Sequence, residues 1–291
     1  SIDAGKAIAV MANNPGDYWD YISGGTGKGQ IVPNDPLPVV AITTTAGTGT
    51  EADPWTVVTK EETNEKIGFG YDKTFPALSV VDPELMLTVP PALTAYQGFD
   101  ALFHSTEGYL NTTAYPISDA FSLRAIELVG KSLARAVKNG SDLEARTDVA
   151  LANTLSGLVE STSGCISEHS LAHAMGALRP DIPHGAALIM ISKAYYEKFV
   201  EKGCCDARLV DMAQKLGKPD AQKPADFVDA LAKLQVDCGV EALRMSDYGI
   251  AYDELPQFVE NAFDTMGGLF SLDPCRLSHA DCLEILQKSY R

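Results

Sequence analysis

The chain has 291 residues, of which 45% are hydrophobic, and its formal net charge is −16. This length allows one large domain or two ordinary ones with a sizeable core, and no apolar run approaches the ~18 residues that a membrane span needs. Because acidic proteins are poor partners for polyphosphate backbones and anionic membrane surfaces, we expect neither a nucleic-acid partner nor a membrane partner.

The first residues, Ser1 to Met11, have the periodicity of an amphipathic helix. Ile2, Ala7, Ile8 and Met11 are spaced as its buried stripe. A helix this apolar usually packs on a sheet, yet no strand precedes it. We therefore expect the chain to begin within a domain.

A continuous apolar run at 38–42 predicts a strand buried on both faces of a parallel sheet. It leads into Thr43–Glu51, where hydroxyls and glycines at the end of a strand suit a phosphate or a sugar. An ordinary Thr/Gly turn fits this segment equally well. The glycines at 24–27 lack phosphate-loop spacing, and we interpret them as a surface turn.

Segments 55–59 and 66–70 predict a β-hairpin, and 77–81 predicts another buried strand. After Val89-Pro90-Pro91 the pattern becomes helical almost without interruption, so we place a domain boundary at that point. The predicted domains are 1–88 and 89–291. The predicted helices are 92–110, 117–137, 142–163, 168–178, 185–200, 205–215, 223–238, 254–267 and 279–288.

Four of the five histidines lie between residues 98 and 185. Asp100 and His104 are four residues apart in a predicted helix, and so are His169 and His173, so each pair shares a helical face. Any one of these histidines could instead be a core or surface residue bonded to a backbone carbonyl. Together, imidazoles and a carboxylate suit a divalent ion such as Fe, Zn, Co, Ni or Mn. His184 should lie at a helix N-terminus, where it stays neutral and available as a ligand.

The six cysteines show no Cys-x-x-Cys spacing. With no signal peptide at the start of this sequence, we expect them to be reduced thiols in a cytoplasmic protein. The adjacent Cys204 and Cys205 are interpreted as a loop detail rather than a redox pair.

These motifs together resemble the iron-containing (group III) alcohol dehydrogenase family. The resemblance runs through the whole chain and rests on Thr44–Glu51, Val81–Leu85, Gly98-Phe99-Asp100 with His104, His169-x-x-x-His173 and Pro183-His184-Gly185. It implies an α/β remnant of a dinucleotide-binding domain followed by an all-α helical domain, in a dehydroquinate synthase-like fold. A divalent metal and a nicotinamide cofactor would occupy the cleft between them.

The resemblance also implies roles for individual residues. The metal ligands, for Fe²⁺, Zn²⁺ or another divalent ion, would be Asp100, His104, His169 and His184. His173 would be a nearby unligated histidine, for support or proton relay. The residues on the NAD(H) or NADP(H) side would be Asp3, Thr44, Thr45, Thr48, Lys66 and Val81.

Two departures from the family pattern are visible. The Gly-Gly-Gly-Ser loop that family members carry before the position of Ser1 is missing, and the Arg179–Pro183 loop is slightly longer than in many members. Without the glycine loop the backbone cannot approach a pyrophosphate closely, so we expect this chain by itself to be inactive.

The implied activity is that of an alcohol dehydrogenase or aldehyde reductase acting on a small primary alcohol or diol, in a protein that forms homo-oligomers at full length. The alternatives are a metal-binding helical module without redox activity, or a metal-dependent lyase or hydrolase of the same fold group. Phe103, Thr162, Cys165 and Phe270 are expected to line the substrate pocket. A purely structural or interaction role would make the grouping of ligands a coincidence.

Overall fold

The computed structural model describes all residues from Ser1 to Arg291. Its first part contains one helix and all four strands. The bounds are α1 (Ile2–Met11), β1 (Val40–Thr43), β2 (Thr56–Lys60), β3 (Glu65–Phe69) and β4 (Leu78–Val81). β1 pairs with β4 in parallel, with Val40 opposite Leu78, and β2 pairs with β3 in an antiparallel hairpin. The hairpin and both parallel strands are therefore where the sequence predicts them.

The second part is all helical, as predicted. The bounds are α2 (Pro91–Leu110), α3 (Pro116–Lys138), α4 (Leu143–Thr162), α5 (Ser167–Leu178), α6 (His184–Lys202), α7 (Asp206–Lys215), α8 (Ala225–Cys238), α9 (Leu255–Met266) and α10 (His279–Ser289). Prolines begin α2 and α3, and left-handed glycines at 203 and 239 end α6 and α8, which explains why the bounds could be read from the sequence. One hydrophobic core extends through this part. The division into two domains at residue 88 stays a prediction.

Three predictions about burial in the first part are wrong, one of them for β4, which was expected to be buried but whose Leu78 and Val80 are 56% and 39% exposed. Ile8 is 68% exposed, and the buried residues of α1 are Lys6, Ala9 and Val10. Val40 and Ile42 of β1 are 59% and 53% exposed. The sheet formed by β1 and β4 has only two strands, and one of its faces is uncovered. Side chains alternate between the two faces of a strand, so Val40 and Ile42 point to the uncovered face.

Lys6 is buried because its ammonium finds a full set of acceptors. Its Nζ donates to the carbonyl of Thr50 (2.7 Å), the hydroxyl of Thr50 (2.7 Å), the carbonyl of Asp53 (2.8 Å) and the carbonyl of Trp55 (2.9 Å). It also pairs with the carboxylate of Asp53 at 3.3 Å. Such a buried charge is tolerated because it is paired and hydrogen-bonded. Lys6 thereby fixes the segment 50–55 against α1.

The turn at Thr48–Glu51 packs directly on α4. Gly49 has φ +63°, a conformation that favours glycine, and a Cβ on Gly157 would collide with the Gly49 carbonyl. Asn153 of α4 accepts a hydrogen bond from the Gly49 N–H (2.8 Å) and donates one to Glu51 (2.9 Å). These contacts join the α/β part to the helical part.

The expectation of six free thiols is wrong for two of them. Cys204 and Cys275 form a disulfide across 71 residues, with Cα atoms 5.9 Å apart. The other four cysteines are free and buried. None of the helices combines the length and apolarity needed to cross a bilayer.

Candidate metal centre

Three helices bring the predicted metal ligands together. α2 carries Asp100 and His104 one turn apart, α5 carries His169, and α6 begins at His184. Asp100 Oδ1 lies 3.7 Å from His104 Nδ1, 3.5 Å from His169 Nε2 and 3.5 Å from His184 Nε2. Three imidazoles carried by three different helices therefore converge around one carboxylate oxygen.

The donor atoms of this cluster fit a cation. Asp100 Oδ1, His104 Nδ1 and His169 Nε2 are all buried and have no hydrogen-bond partner. Leaving such a group unpaired costs about 1–3 kcal/mol, so three in one place are explained best by an ion that all of them can bind. Three imidazoles and one carboxylate suit a divalent transition metal, which the residues present therefore fit.

The ionisation states of Asp100 and His184 favour ligation, whereas His169 must lose a proton to bind a metal. Burial would lower the pKa of His169, but the carboxylates of Glu107 and Asp100 hold this pKa well above its ordinary value. Burial would raise the pKa of Asp100, but the adjacent His104 and His169 hold this pKa below its ordinary value. Burial, with Lys66 nearby, lowers the pKa of His184 well below its usual range. A neutral imidazole and an ionised carboxylate are the forms that bind a metal.

His173 lies beside the cluster. Its ring centroid is 5.0 Å from that of His184 and 6.1 Å from that of His169, and its Nδ1 faces the sulfur of Met266 at 2.8 Å. Burial and the charge of Lys66 lower the pKa of His173 well below its ordinary value. Its role as an unligated neighbour stays a prediction.

A cleft of about 1100 Å³ opens onto the cluster. Its walls include His104, His169, His173 and His184, so the candidate metal centre lies in the wall of a solvent-accessible space. Four of the predicted cofactor residues also line the cleft, namely Asp3, Thr45, Thr48 and Lys66. Thr44 and Val81 are not among the lining residues, and the cofactor assignment of all six stays a prediction.

The predicted substrate pocket needs correction. Thr162 and Cys165 line the cleft, but Phe103 is fully buried and packs against Phe99 and Tyr196. Phe270 stacks on Phe263, and it is Phe263 that reaches the cleft. Phe103 precedes His104 in the sequence, but its side chain points into the core, and Phe270 lies in the 3₁₀ helix Gly267–Leu272, where it is buried behind Phe263.

A buried glutamate that the sequence analysis did not single out supports His169. Glu107 is fully buried, and one of its carboxylate oxygens bonds to His169 Nδ1. The other oxygen accepts from the Ile166 N–H at 2.8 Å. Asp100, His104 and Glu107 are spaced i, i+4, i+7 on α2, so the helical period that predicted the first two ligands also predicts this third residue on the same face.

A second carboxylate, Asp273, holds the start of α5. Its Oδ1 accepts hydrogen bonds from the Ser167 N–H (3.1 Å) and the Tyr195 hydroxyl (3.4 Å). Burial raises the pKa of Asp273 to about 7, although the bond from Ser167 opposes this shift. No sequence pattern indicated this contact, because Asp273 follows a short 3₁₀ helix, Gly267–Leu272, that is far from α5 in the chain.

The raised pKa predicts a stability that depends on pH. In the unfolded chain the carboxyl titrates near ~3.9, so between that pH and about 7 the folded state holds a proton that the unfolded state has lost. The contribution of Asp273 to stability should therefore fall as the pH rises from 5 to 8, by on the order of 3 kcal/mol. Urea unfolding of wild type and Asp273→Asn at both pH values should show that the change in stability between these pH values differs by about this amount, with the larger fall in wild type. An equal fall in the variant would contradict the assignment.

Comparisons with known proteins all indicate one family. The family model for the C-terminal region of Fe-containing alcohol dehydrogenases matches residues 94–290. The family model for iron-containing alcohol dehydrogenase matches residues 1–83. Alcohol dehydrogenase 4 of Schizosaccharomyces pombe is 36% identical over 94% of this chain and 63% of its own length. For 1,3-propanediol dehydrogenase of Citrobacter freundii, the identity is 32% over 99% of this chain and 73% of its own length.

A solved structure agrees with the sequence relatives. The archaeal halo-thermophilic alcohol dehydrogenase ADH/D1 from a Red Sea brine pool superposes with a TM-score of 0.93 at 35% identity, over 99% of this chain and 74% of that one. This chain therefore spans between 63% and 74% of the length of these three proteins.

Proposed function

This chain belongs to the iron-containing alcohol dehydrogenase family, and we propose that its metal centre oxidises a small primary alcohol or diol, or reduces the corresponding aldehyde, with a nicotinamide cofactor. The observation that carries the proposal is the convergence of Asp100, His104, His169 and His184 on one point of a solvent-accessible cleft. The fission yeast and Citrobacter relatives are named for alcohol and propanediol oxidation, which supports this choice of substrate class.

The four ligands would hold a divalent ion such as Fe²⁺ or Zn²⁺. When bound, such an ion supplies Lewis acidity, which lowers the pKa of an alcohol hydroxyl or polarises an aldehyde carbonyl. The nicotinamide supplies the hydride chemistry. The protein's own contribution is to orient both reactants and to exclude water from the reacting atoms.

Individual side chains serve these purposes. Thr45, Thr48 and Lys66 line the cleft, and the Gly49 backbone is held in place by Asn153, so the 45–49 turn presents a fixed surface to the cofactor. The neutral imidazole of His173 lies beside the ligands, and we assign it the acceptance of the hydroxyl proton or the support of the neighbouring rings. These roles are proposals for the complete protein, as are its assembly into homo-oligomers and its cytoplasmic location.

The test compares the metal-loaded complete product of the gene with the chain described here. NADH formation at 340 nm from a short diol such as 1,3-propanediol, with loss of activity on chelation and recovery on adding Fe²⁺ or Zn²⁺, is the expected result for the complete product. Titration with NADH, followed by nicotinamide fluorescence, tests the separate prediction that the present chain by itself is inactive. Metal binding without any nicotinamide binding in the complete product would support the non-redox alternative instead.

A further inference from the structure

One half-buried carboxylate in the cleft forms neither an ion pair nor a hydrogen bond to a backbone N–H. Glu160 lies near the end of α4, lines the cleft, and pairs with no lysine, arginine or histidine in the structure. By contrast, Asp53 in the same cleft pairs with Lys6, and Asp3 accepts a hydrogen bond from a backbone N–H at 2.8 Å. Asp264 also lines the cleft without a cationic partner, but it is exposed to solvent. Half-buried anions are usually paired, so Glu160 is the half-buried negative group of this cleft that remains available to a ligand.

Glu160 lies close to the metal centre. Its Oε1 accepts a hydrogen bond from the thiol of Cys165 at 2.7 Å. The Cys165 sulfur in turn lies within 4.8 Å of ring nitrogens of both His104 and His169. Only the Cys165 thiol thus lies between the Glu160 carboxylate and the ligand nitrogens. A short carbon chain can span that distance.

The thiol between them is held as a hydrogen-bond donor. Cys165 therefore occupies one lone pair of Glu160 Oε1 and leaves the rest of the carboxylate free, because no other side chain bonds to it.

An aromatic ring lies next to the same carboxylate. The indole N–H of Trp55 donates to the backbone carbonyl of Glu160 at 3.4 Å, and the Trp55 side chain remains 39% exposed and lines the cleft. An indole face attracts organic cations, and a carboxylate adds charge and hydrogen-bond acceptors. The two groups together form a site for an ammonium group.

We propose that Glu160 and Trp55 recognise a cationic nitrogen on the substrate, so that the substrate is a short alcohol, or its aldehyde, with an ammonium group two or three carbons from the oxygen. This inference rests on the proposed function, because the hydroxyl must lie at the metal centre for the nitrogen to reach Glu160. The net charge of −16 would also favour the approach of a cation.

The test measures a preference in the complete, metal-loaded protein. We expect kcat/KM for 3-aminopropan-1-ol to exceed that for its neutral analogue 1-butanol, and Glu160→Gln to reduce this ratio by about 10- to 100-fold. The anionic 3-hydroxypropanoate should be the poorest of the three and should improve in the variant. Glutamine keeps the size of the side chain and an acceptor for Cys165, so the variant should fold.

Asp264→Asn is the matched control. Asp264 is an exposed acid that lines the same cleft, and its replacement should leave the ratio unchanged if Glu160, rather than the general negative field, selects the cation. Equal ratios in wild type and Glu160→Gln would overturn the proposal. So would an equal loss for 1,3-propanediol in Glu160→Gln, since the carboxylate would then act as a hydroxyl acceptor.

A binding measurement separates this inference from the proposed function. If the protein turns over no alcohol at all, calorimetry with 3-aminopropan-1-ol still compares wild type with Glu160→Gln. In that case, weaker binding of 3-aminopropan-1-ol by the variant would support the ammonium site, although the absence of turnover contradicts the oxidoreductase assignment. Equal binding would overturn the ammonium site as well.

Discussion

Replacing His104 with alanine in the complete protein is expected to remove its metal and to abolish turnover, while the helical part stays folded. His104 lies 3.7 Å from the central Asp100 oxygen, and no hydrogen bond holds its ring, which only stacks on His169 with centroids 4.4 Å apart. Its loss therefore removes a ligand and little else. Metal content by atomic absorption and NADH formation should both fall to background, with an unchanged far-ultraviolet circular dichroism spectrum.

His279→Ala provides the control for the loss of a histidine. His279 begins α10, stacks on Phe263, and has a side chain 54% exposed outside the ligand cluster. This variant should retain its metal. Full metal content and full activity in His104→Ala would contradict the four-ligand centre, and loss of metal in both variants would point to global destabilisation.

The sequence predicted the helical part well for a definite reason. Its helices are long, periodic and bounded by proline or glycine, so each one is specified locally. The i, i+4 spacing of Asp100 and His104 is equally local, which explains why the ligand pair could be recognised before the structure was known. The convergence of α2, α5 and α6 is not local; the grouping of four histidines and an aspartate suggested a shared metal site, and the family resemblance implied which residues are its ligands.

Burial in the first part could not be predicted in the same way. Apolar Ile8 is exposed and charged Lys6 is buried, which is the reverse of what their polarity suggests. Lys6 can be buried because the acceptors that stabilise its ammonium belong to residues 50–55. An apolar period cannot reveal acceptors more than forty residues away. The exposed strand face arises likewise from what packs on the sheet and not from the strand's own sequence.

The same limitation explains why Glu160 was not predicted to have a function. By sequence it is a charged residue near the end of an amphipathic helix, where a solvated side chain is the ordinary expectation. Its significance comes from two contacts with other segments, the Cys165 thiol and the partly exposed Trp55, and from the absence of any cation within pairing distance. Spatial neighbours, rather than residue type, distinguish it from other surface acids.

Glu107 differs because the sequence contained a signal for it. It lies seven residues after Asp100 on the ligand face of α2, and it bonds to His169 Nδ1, to the Ile166 N–H at 2.8 Å and to the His169 N–H at 3.4 Å. It therefore fixes both the ring of one ligand and the first turn of the helix that carries it. Carboxylates placed in this way orient a histidine and raise its basicity toward a metal.

Glu107→Gln is accordingly expected to weaken metal binding by about 10- to 100-fold without removing a ligand. The glutamine carbonyl can accept from the Ile166 N–H or from His169 Nδ1 but cannot replace both carboxylate oxygens, so the ring of His169 loses its fixed orientation. Competition between the protein and a chromophoric chelator for Zn²⁺ would measure the change in affinity. Because this measurement needs neither cofactor nor substrate, it is independent of catalytic activity.

Glu168→Gln tests whether the effect belongs to Glu107 or to any buried acid near His169. Glu168 is also fully buried, but its Oε2 accepts from the Tyr196 hydroxyl at 2.8 Å and neither of its oxygens bonds to the His169 ring. Its replacement should therefore leave Zn²⁺ affinity nearly unchanged, whereas Glu107→Gln lowers it. Equal affinities in wild type and Glu107→Gln would show that metal binding by itself orients His169, and that Glu107 serves only to hold the start of α5.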